Sequence, residues 1–154
     1  VNYSLIARQC EGLLDPENHY LSNLANFSAM LWNEFQDINW LGFYLYDSQR
    51  DQLILGPFQG NVACTNIAPG KGVCGGAYSQ QQILRIADVD QFPGHIACDA
   101  ASRSEIVVPI YHADKVVAVL DIDSPLLSRF TQEDQQGLQD LVNILEKSLV
   151  KFDF

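Results

Sequence analysis

The order of local patterns predicts an α+β domain with a central, mostly antiparallel sheet. Two helical stretches open the chain, two hairpins with a crossover between them fill its middle, and a helix closes it. Three observations carry this expectation. Apolar residues recur at three- and four-residue steps toward both ends. Aromatic and β-branched runs separated by short turns occupy the middle. The 154 residues suit one domain, spanning 1–154, because no repeat, low-complexity tract or linker divides them. Helices from the two chain ends are expected to cover mainly one face of the sheet.

Tyr3, Ile6, Cys10, Leu13 and Leu14 give residues 3–14 an apolar helical face, which Asp15-Pro16 interrupts. Residues 19–36 form a second helix with Tyr20, Leu24, Phe27, Leu31 and Phe35 as its buried stripe and Trp32 widening it. Trp40-Leu41-Gly42-Phe43-Tyr44-Leu45-Tyr46 then reads as a strand with aromatic residues on both faces. A turn at Asp47-Ser48-Gln49 leads to a second strand, Gln52–Phe58, making an antiparallel hairpin. Residues 59–71 are a loop, 72–79 a short helix, 82–86 a brief strand and 88–103 a long loop. In the strand Ser104–Tyr111, Pro109 lacks a ladder donor and points to an edge or a bulge. His112-Ala113-Asp114 turns the chain into the strand Lys115–Ile122. The last helix starts near Thr131, where Thr131 and Asp134 suit a capping box, and Leu138, Leu141, Val142, Leu145 and Leu149 face inward.

Composition narrows the partners. The chain carries 19 acidic and 9 basic residues, a net charge of -10, which argues against nucleic acid and against an anionic membrane. No apolar run approaches the roughly 18 residues of a membrane span. Val1-Asn2-Tyr3-Ser4 has neither the basic nor the apolar region of a secretory leader. Four cysteines are too few and too unevenly spaced for a disulfide scaffold. A reducing, cytoplasmic setting is expected, where stable structural disulfides are unusual and transient catalytic ones are not.

Cys64, Cys74 and Cys98 fall in one tract. Cys98 lies in the loop sequence Phe92-Pro93-Gly94-His95-Ile96-Ala97-Cys98-Asp99, and loops of this kind carry function. The ordinary alternative is a buried thiol acting as a small hydrophobe. A reactive thiol needs its pKa to fall from about 8.5; His95 would help and Asp99 would oppose. Cys64 sits among polar loop residues and reads as exposed or movable. Pairing it with Cys98 requires alpha carbons within about 7 Å, which their linear separation does not guarantee. Cys74 is either a second resolving thiol or a packed residue at a helix start, and Cys10 belongs to the apolar face of the first helix. Zinc held by Cys64, Cys74, His95 and Cys98 is a competing arrangement, weakened by the lack of a Cys-x-x-Cys pair. Gly70-Lys71-Gly72 lacks the ending of a phosphate loop and reads as a tight bend or an anion nest.

Asp121 and Asp123 share one face of the last strand. If the second hairpin folds about Ala113-Asp114, Glu105 falls opposite about residue 122, and three carboxylates gather at one end of the hairpin. Such acids repel unless something positive intervenes. A bound ammonium group, water or Arg103 would serve. The cluster suits recognition of an amino group, and one protonated acid can donate to an oxyanion or a sulfoxide oxygen. Most aromatic residues of the first strand are expected in the core, with one left to wall a small apolar pocket.

Three runs together resemble the free methionine-R-sulfoxide reductases, small single-domain GAF proteins. They are Gly70-Lys71-Gly72-Val73-Cys74-Gly75, the Phe92–Asp99 run, and Ser102-Arg103-Ser104-Glu105-Ile106-Val107-Val108-Pro109. The resemblance extends over nearly the whole chain, including Trp40-Leu41-Gly42-Phe43-Tyr44 and Leu120-Asp121-Ile122-Asp123-Ser124. It implies a GAF-like fold and reduction of free L-methionine-R-sulfoxide to L-methionine through thiol, sulfenic acid and disulfide states. It also implies roles. Cys98 matches the attacking cysteine, Cys64 the resolving one and Cys74 an auxiliary one. Glu105, Asp121 and Asp123 match acids of the substrate pocket, with Glu105 or Asp123 assisting proton transfer, and Trp40 is the aromatic wall. The implied reductant is thioredoxin, supplied ultimately by NADPH, with no metal, flavin or nicotinamide bound to this chain. A homodimer is compatible with the pattern. Two other readings stay open: a ligand-sensing GAF module, and a redox switch that cycles Cys64 and Cys98 without turning over substrate.

Overall fold

Alternation along the strands sorts side chains onto two faces, and each face is covered differently. The computed structural model describes residues 1–96 and 98–154. Its strands are β1 (Trp40–Asp47), β2 (Gln52–Gly60), β3 (Asn66–Ile67), β4 (Leu84–Ile86), β5 (Ser104–His112) and β6 (Lys115–Ser124). They form one sheet in the order β3-β2-β1-β6-β5-β4, with all neighbours antiparallel.

Leu41, Phe43 and Leu45 of β1, Ile106, Val108 and Ile110 of β5, and Ala118, Leu120 and Ile122 of β6 are buried on one face. Helices α1 (Tyr3–Leu13), α2 (Tyr20–Glu34) and α4 (Gln132–Lys147) cover that face through residues such as Ile6, Leu24, Phe27, Leu31, Leu138 and Leu145. Helices from both chain ends therefore share one face, as the sequence predicts. Burying each Leu, Ile or Phe there contributes about 1.5–3 kcal/mol. No helix among the described residues is long and apolar enough to cross a membrane.

Local chemistry sets the helix ends. Asp134 N–H donates to Thr131 Oγ1 at 3.1 Å and Thr131 N–H donates to Asp134 Oδ2 at 2.9 Å, which is the expected capping box. Tyr3 O–H donates to the other oxygen of Asp134 at 2.7 Å, and the Tyr3 ring rests on Gly137, where a Cβ would collide with it. The start of α1 is thereby tied to the start of α4.

The opposite face carries Trp40, Tyr44, Val107 and Val119, and packs against α3 (Gly72–Gln80). The predicted loop 59–71 contains the short strand β3, and the loop 88–103 contains a 3₁₀ turn at Val89–Gln91; residue 97 of that loop lies outside the described residues.

The second hairpin departs from its expected register by one residue, and the departure decides the site. Ala113 and Asp114 adopt φ of 51° and 65°, forming the tight turn. That turn alone would set Glu105 opposite residue 122. However, Tyr111 pairs with Val116 while Ile110 pairs with Ala118, so β6 carries one extra residue at a bulge. Glu105 consequently pairs with Asp123, and Val107 with Asp121. A one-residue shift flips a side chain to the other face. The bulge therefore puts Glu105 beside the two aspartates rather than among the helices. Pro109 belongs to an interior strand, but it lies beyond the end of β4 and next to this bulge. The edge expected there is a local one.

Candidate active site

The face opposite the three-helix layer ends in a pocket lined by Glu105, Asp121 and Asp123. Glu105 and Asp121 are only 6% and 5% exposed, whereas Asp123 keeps part of its surface open. Burial makes ionisation costly, and neighbouring negative charge adds to the cost. Glu105 and Asp123 are accordingly pushed well above the usual carboxylate range, by burial first and by the Asp121 charge second. Burial raises Asp121 as well. Among the described residues its Oδ1 meets no ordinary hydrogen-bond donor, and a proton held by Glu105, Asp123 or Cys74 would satisfy it from within the cluster.

Cys74 enters this cluster from α3. A glycine-rich bend delivers it: Gly72 has φ of 61°, and a Cβ on Gly75 would stand 2.5 Å from the Ala68 carbonyl oxygen. Cys74 is buried, and its Sγ and one oxygen each from Glu105 and Asp121 lie within 4.8 Å of one another. Burial, then the charges of Asp121, Glu105 and Asp123, push its thiol well above the ordinary range. Cys74 is therefore a neutral thiol here. Among the described residues, Cys74, Glu105 and Asp121 are the group with metal-ligand spacing. The zinc arrangement considered from sequence is not assembled, because two of its sulfurs bond each other.

Those two are Cys64 and Cys98, joined by a disulfide with alpha carbons 5.5 Å apart. Cys98 lines the same pocket as the acids. Cys64 is half-buried rather than an exposed loop thiol, and its carbonyl accepts the Tyr44 O–H at 2.9 Å. Tyr44 thus fixes the backbone at Cys64, a task that an aromatic strand pattern does not reveal. Trp40, 2% exposed, stacks on Phe58 with ring centres 5.2 Å apart, and its indole N–H donates to the Asn61 carbonyl at 3.1 Å. It forms a rigid aromatic wall of the pocket.

The fold thus brings Trp40, Cys74, Cys98, Glu105, Asp121 and Asp123 to one pocket, with Cys64 bonded to Cys98. His95, considered for its effect on Cys98, faces the acids, with Nε2 3.9 Å from Glu105 Oε1. Arg103, the alternative counter-charge, is not among the lining residues, while Lys71 and Ser102 are. The sequence reading placed Lys71 in a glycine-rich bend and Ser102 in a family run but gave neither a place in the pocket.

The GAF domain family model matches residues 13–149. The chain is 51% identical over 152 residues to the free methionine-R-sulfoxide reductase of Escherichia coli strain K12, covering 99% of this chain and 91% of that protein. The chain belongs to the free methionine-R-sulfoxide reductase family. A structure of the Staphylococcus aureus family member in its reduced form superposes with a TM-score of 0.92 at 51% identity, covering 96% of this chain and 95% of that one. The Neisseria meningitidis free methionine-R-sulfoxide reductase, solved in complex with its substrate, superposes with a TM-score of 0.91 at 44% identity, covering 95% of this chain and 87% of that one. As a member of this oxidoreductase family, the chain carries a cysteine pair, joined as Cys64–Cys98 beside the acidic cluster.

Proposed function

We propose that residues 1–154 form a single catalytic domain that reduces free L-methionine-R-sulfoxide to L-methionine, with thioredoxin as its reductant. The observation that carries this reading is the meeting, at one pocket, of the Cys64–Cys98 pair with two buried acids, Glu105 and Asp121, and the half-buried Asp123. The substrate ammonium pairs with the cluster of Glu105, Asp121 and Asp123 through those of its acids that are ionised, which a peptide-bound residue cannot do. Trp40 packs against the substrate side chain.

In the dithiol form, the Cys98 thiolate attacks the sulfoxide sulfur. Protonated Glu105 or Asp123 donates to the sulfoxide oxygen, which lets the sulfur–oxygen bond break. The substrate sulfur is reduced by two electrons and leaves as the thioether of methionine. Cys98 is oxidised by two electrons and takes the oxygen as a sulfenic acid. The Cys64 thiol condenses with it, releasing water and forming the disulfide. Thioredoxin dithiol then restores both thiols by exchange, drawing ultimately on NADPH. Cys74, neutral at rest, is an auxiliary thiol for that exchange. The cycle requires no metal, flavin or nicotinamide on this chain, and a reducing compartment such as the cytoplasm suits it. Every residue it uses lies in one chain, so a homodimer is not needed to complete the site.

The deciding experiment measures methionine released from the separate R and S epimers of free methionine sulfoxide, with thioredoxin, its reductase and NADPH present. R-selective turnover is the expected result. No turnover from fully reduced, folded protein would overturn the enzyme reading in favour of a sensing or switching role.

A further inference from the structure

Asn39 stands immediately before β1 and outside the pocket lining, yet it joins two parts of the site. Its backbone N–H donates to the Asp123 carbonyl at 2.9 Å, extending the β1–β6 ladder to the strand end that carries the acids. Its side-chain Nδ2 donates to Asp99 Oδ2 and to Ser102 Oγ, both at 3.1 Å. Asp99 follows Cys98 directly. Residues 99–102 form a tight turn, in which the Ala101 N–H donates to Asp99 Oδ1 at 2.9 Å and the Ser102 N–H donates to the Asp99 carbonyl at 3.2 Å. The next residue is anchored too, since the Arg103 N–H donates to the Ser124 carbonyl at 2.7 Å. On the other side of Cys98 the chain passes through Gly94 at φ of 74°. Cys98 donates its own N–H to the Ile96 carbonyl at 3.2 Å, and on its other side Asn39 holds the 99–102 turn to the sheet.

The Asn39 amide oxygen is buried with no hydrogen-bond partner among the described residues. Buried amides normally satisfy both ends. The opposite orientation would aim that oxygen at the Asp99 carboxylate, acceptor against acceptor. The contact to Asp99 and Ser102 thus prevails over full satisfaction of the amide. It also occupies a carboxylate adjacent in sequence to the reactive thiol, and an unoccupied negative charge there would disfavour the thiolate.

We propose that Asn39 is a positioning residue for the cysteine chemistry: it clasps the 99–102 turn to the sheet and so keeps Cys98 in the pocket and within bonding reach of Cys64. The proposal rests on the cysteine cycle described above, but its test does not require methionine sulfoxide. Two molecules of glutathione reduce the Cys64–Cys98 disulfide to two thiols and become one oxidised glutathione, so the equilibrium reports how closely the protein holds the two sulfurs. Asn39→Ala should shift that equilibrium toward the dithiol by about tenfold, the loss expected for a hydrogen bond to a charged acceptor. Asn39→Asp sets a carboxylate against Asp99 and should shift it further at pH 8 than at pH 5. The double variant Asn39→Asp with Asp99→Asn restores a donor and an acceptor in reversed order and should return to within about threefold of wild type. In the same proteins, the pH midpoint for alkylation of Cys98 by iodoacetamide should rise in Asn39→Ala. An equilibrium and alkylation profile unchanged by Asn39→Ala, or a double variant no better than Asn39→Asp alone, would overturn the clasp. First-turnover assays on these variants address the substrate reading separately.

Discussion

At the scale of single residues, environment gives three nearby cysteines different chemistry. Cys74 is buried against Glu105 and Asp121 and holds its proton. Cys64 is pinned through its carbonyl by Tyr44, while Cys98 sits in an irregular loop that opens on the pocket. That division predicts separable phenotypes. Cys98→Ser should release no methionine even in a single turnover of reduced enzyme. Cys64→Ser should release one methionine per enzyme and then cycle slowly or not at all with thioredoxin, as followed by rapid quench and methionine analysis. A full first turnover in Cys98→Ser would remove it as nucleophile. Undiminished cycling in Cys64→Ser would pass the resolving role to Cys74 or to thioredoxin itself. The cysteines and acids were readable in the sequence because their residue types announce their chemistry. Tyr44 and Asn39 were not, because Tyr44 acts through one hydrogen bond and Asn39 through several that only the folded chain creates.

At the scale of elements, the sequence told the location of each helix and long strand but not the spacing between them. The α4 cap was readable since Thr131 and Asp134 lie within one turn of each other. The β6 bulge was not: Val116, Val117 and Ala118 are alike in character, and nothing in them marks which one is extra. The placement of α3 depends on backbone approach rather than on any side-chain pattern. This yields a contrast between two substitutions. Thr131→Ala removes a cap and should cost about 1 kcal/mol in urea unfolding. Gly75→Ala forces a Cβ against the Ala68 carbonyl and should cost about 1–3 kcal/mol by overpacking. Gly75→Ala alone should also speed the reaction of Cys74 with a thiol reagent, because the α3 bend must shift. Equal Cys74 protection in both variants would show that α3 is not held by this approach.

For the whole molecule, the buried acids tie stability to pH in an unusual sense. Unfolded carboxyls titrate near pH 4, and in the fold Glu105 and Asp123 bind protons well above that range, chiefly because of burial. Between the two limits the folded state holds more protons than the unfolded one. Stability therefore falls as pH rises through this window, by up to about 1.4 kcal/mol per pH unit for each such group. Asp134 has the opposite sign: burial opposes its ionisation, but hydrogen bonds from Thr131 and Tyr3 and the Arg129 charge outweigh it. Its contribution is lost only as pH falls below the ordinary carboxylate range, so it is constant from pH 5 to 8. Protein assayed without substrate should consequently melt at a lower temperature at pH 8 than at pH 5. The net charge of -10 acts in the same direction, so the slope of Glu105→Gln must be compared with that of wild type. The variant should show the shallower fall, and equal slopes would remove Glu105 as a source. An ammonium ligand reverses the linkage, because it favours the ionised acids. Free methionine should then raise the melting temperature more at pH 8 than at pH 5, while N-acetylmethionine, which has no ammonium, should not. Under the proposed cycle the same competition bounds catalysis, since that cycle needs one acid protonated for the sulfoxide oxygen and others ionised for the ammonium.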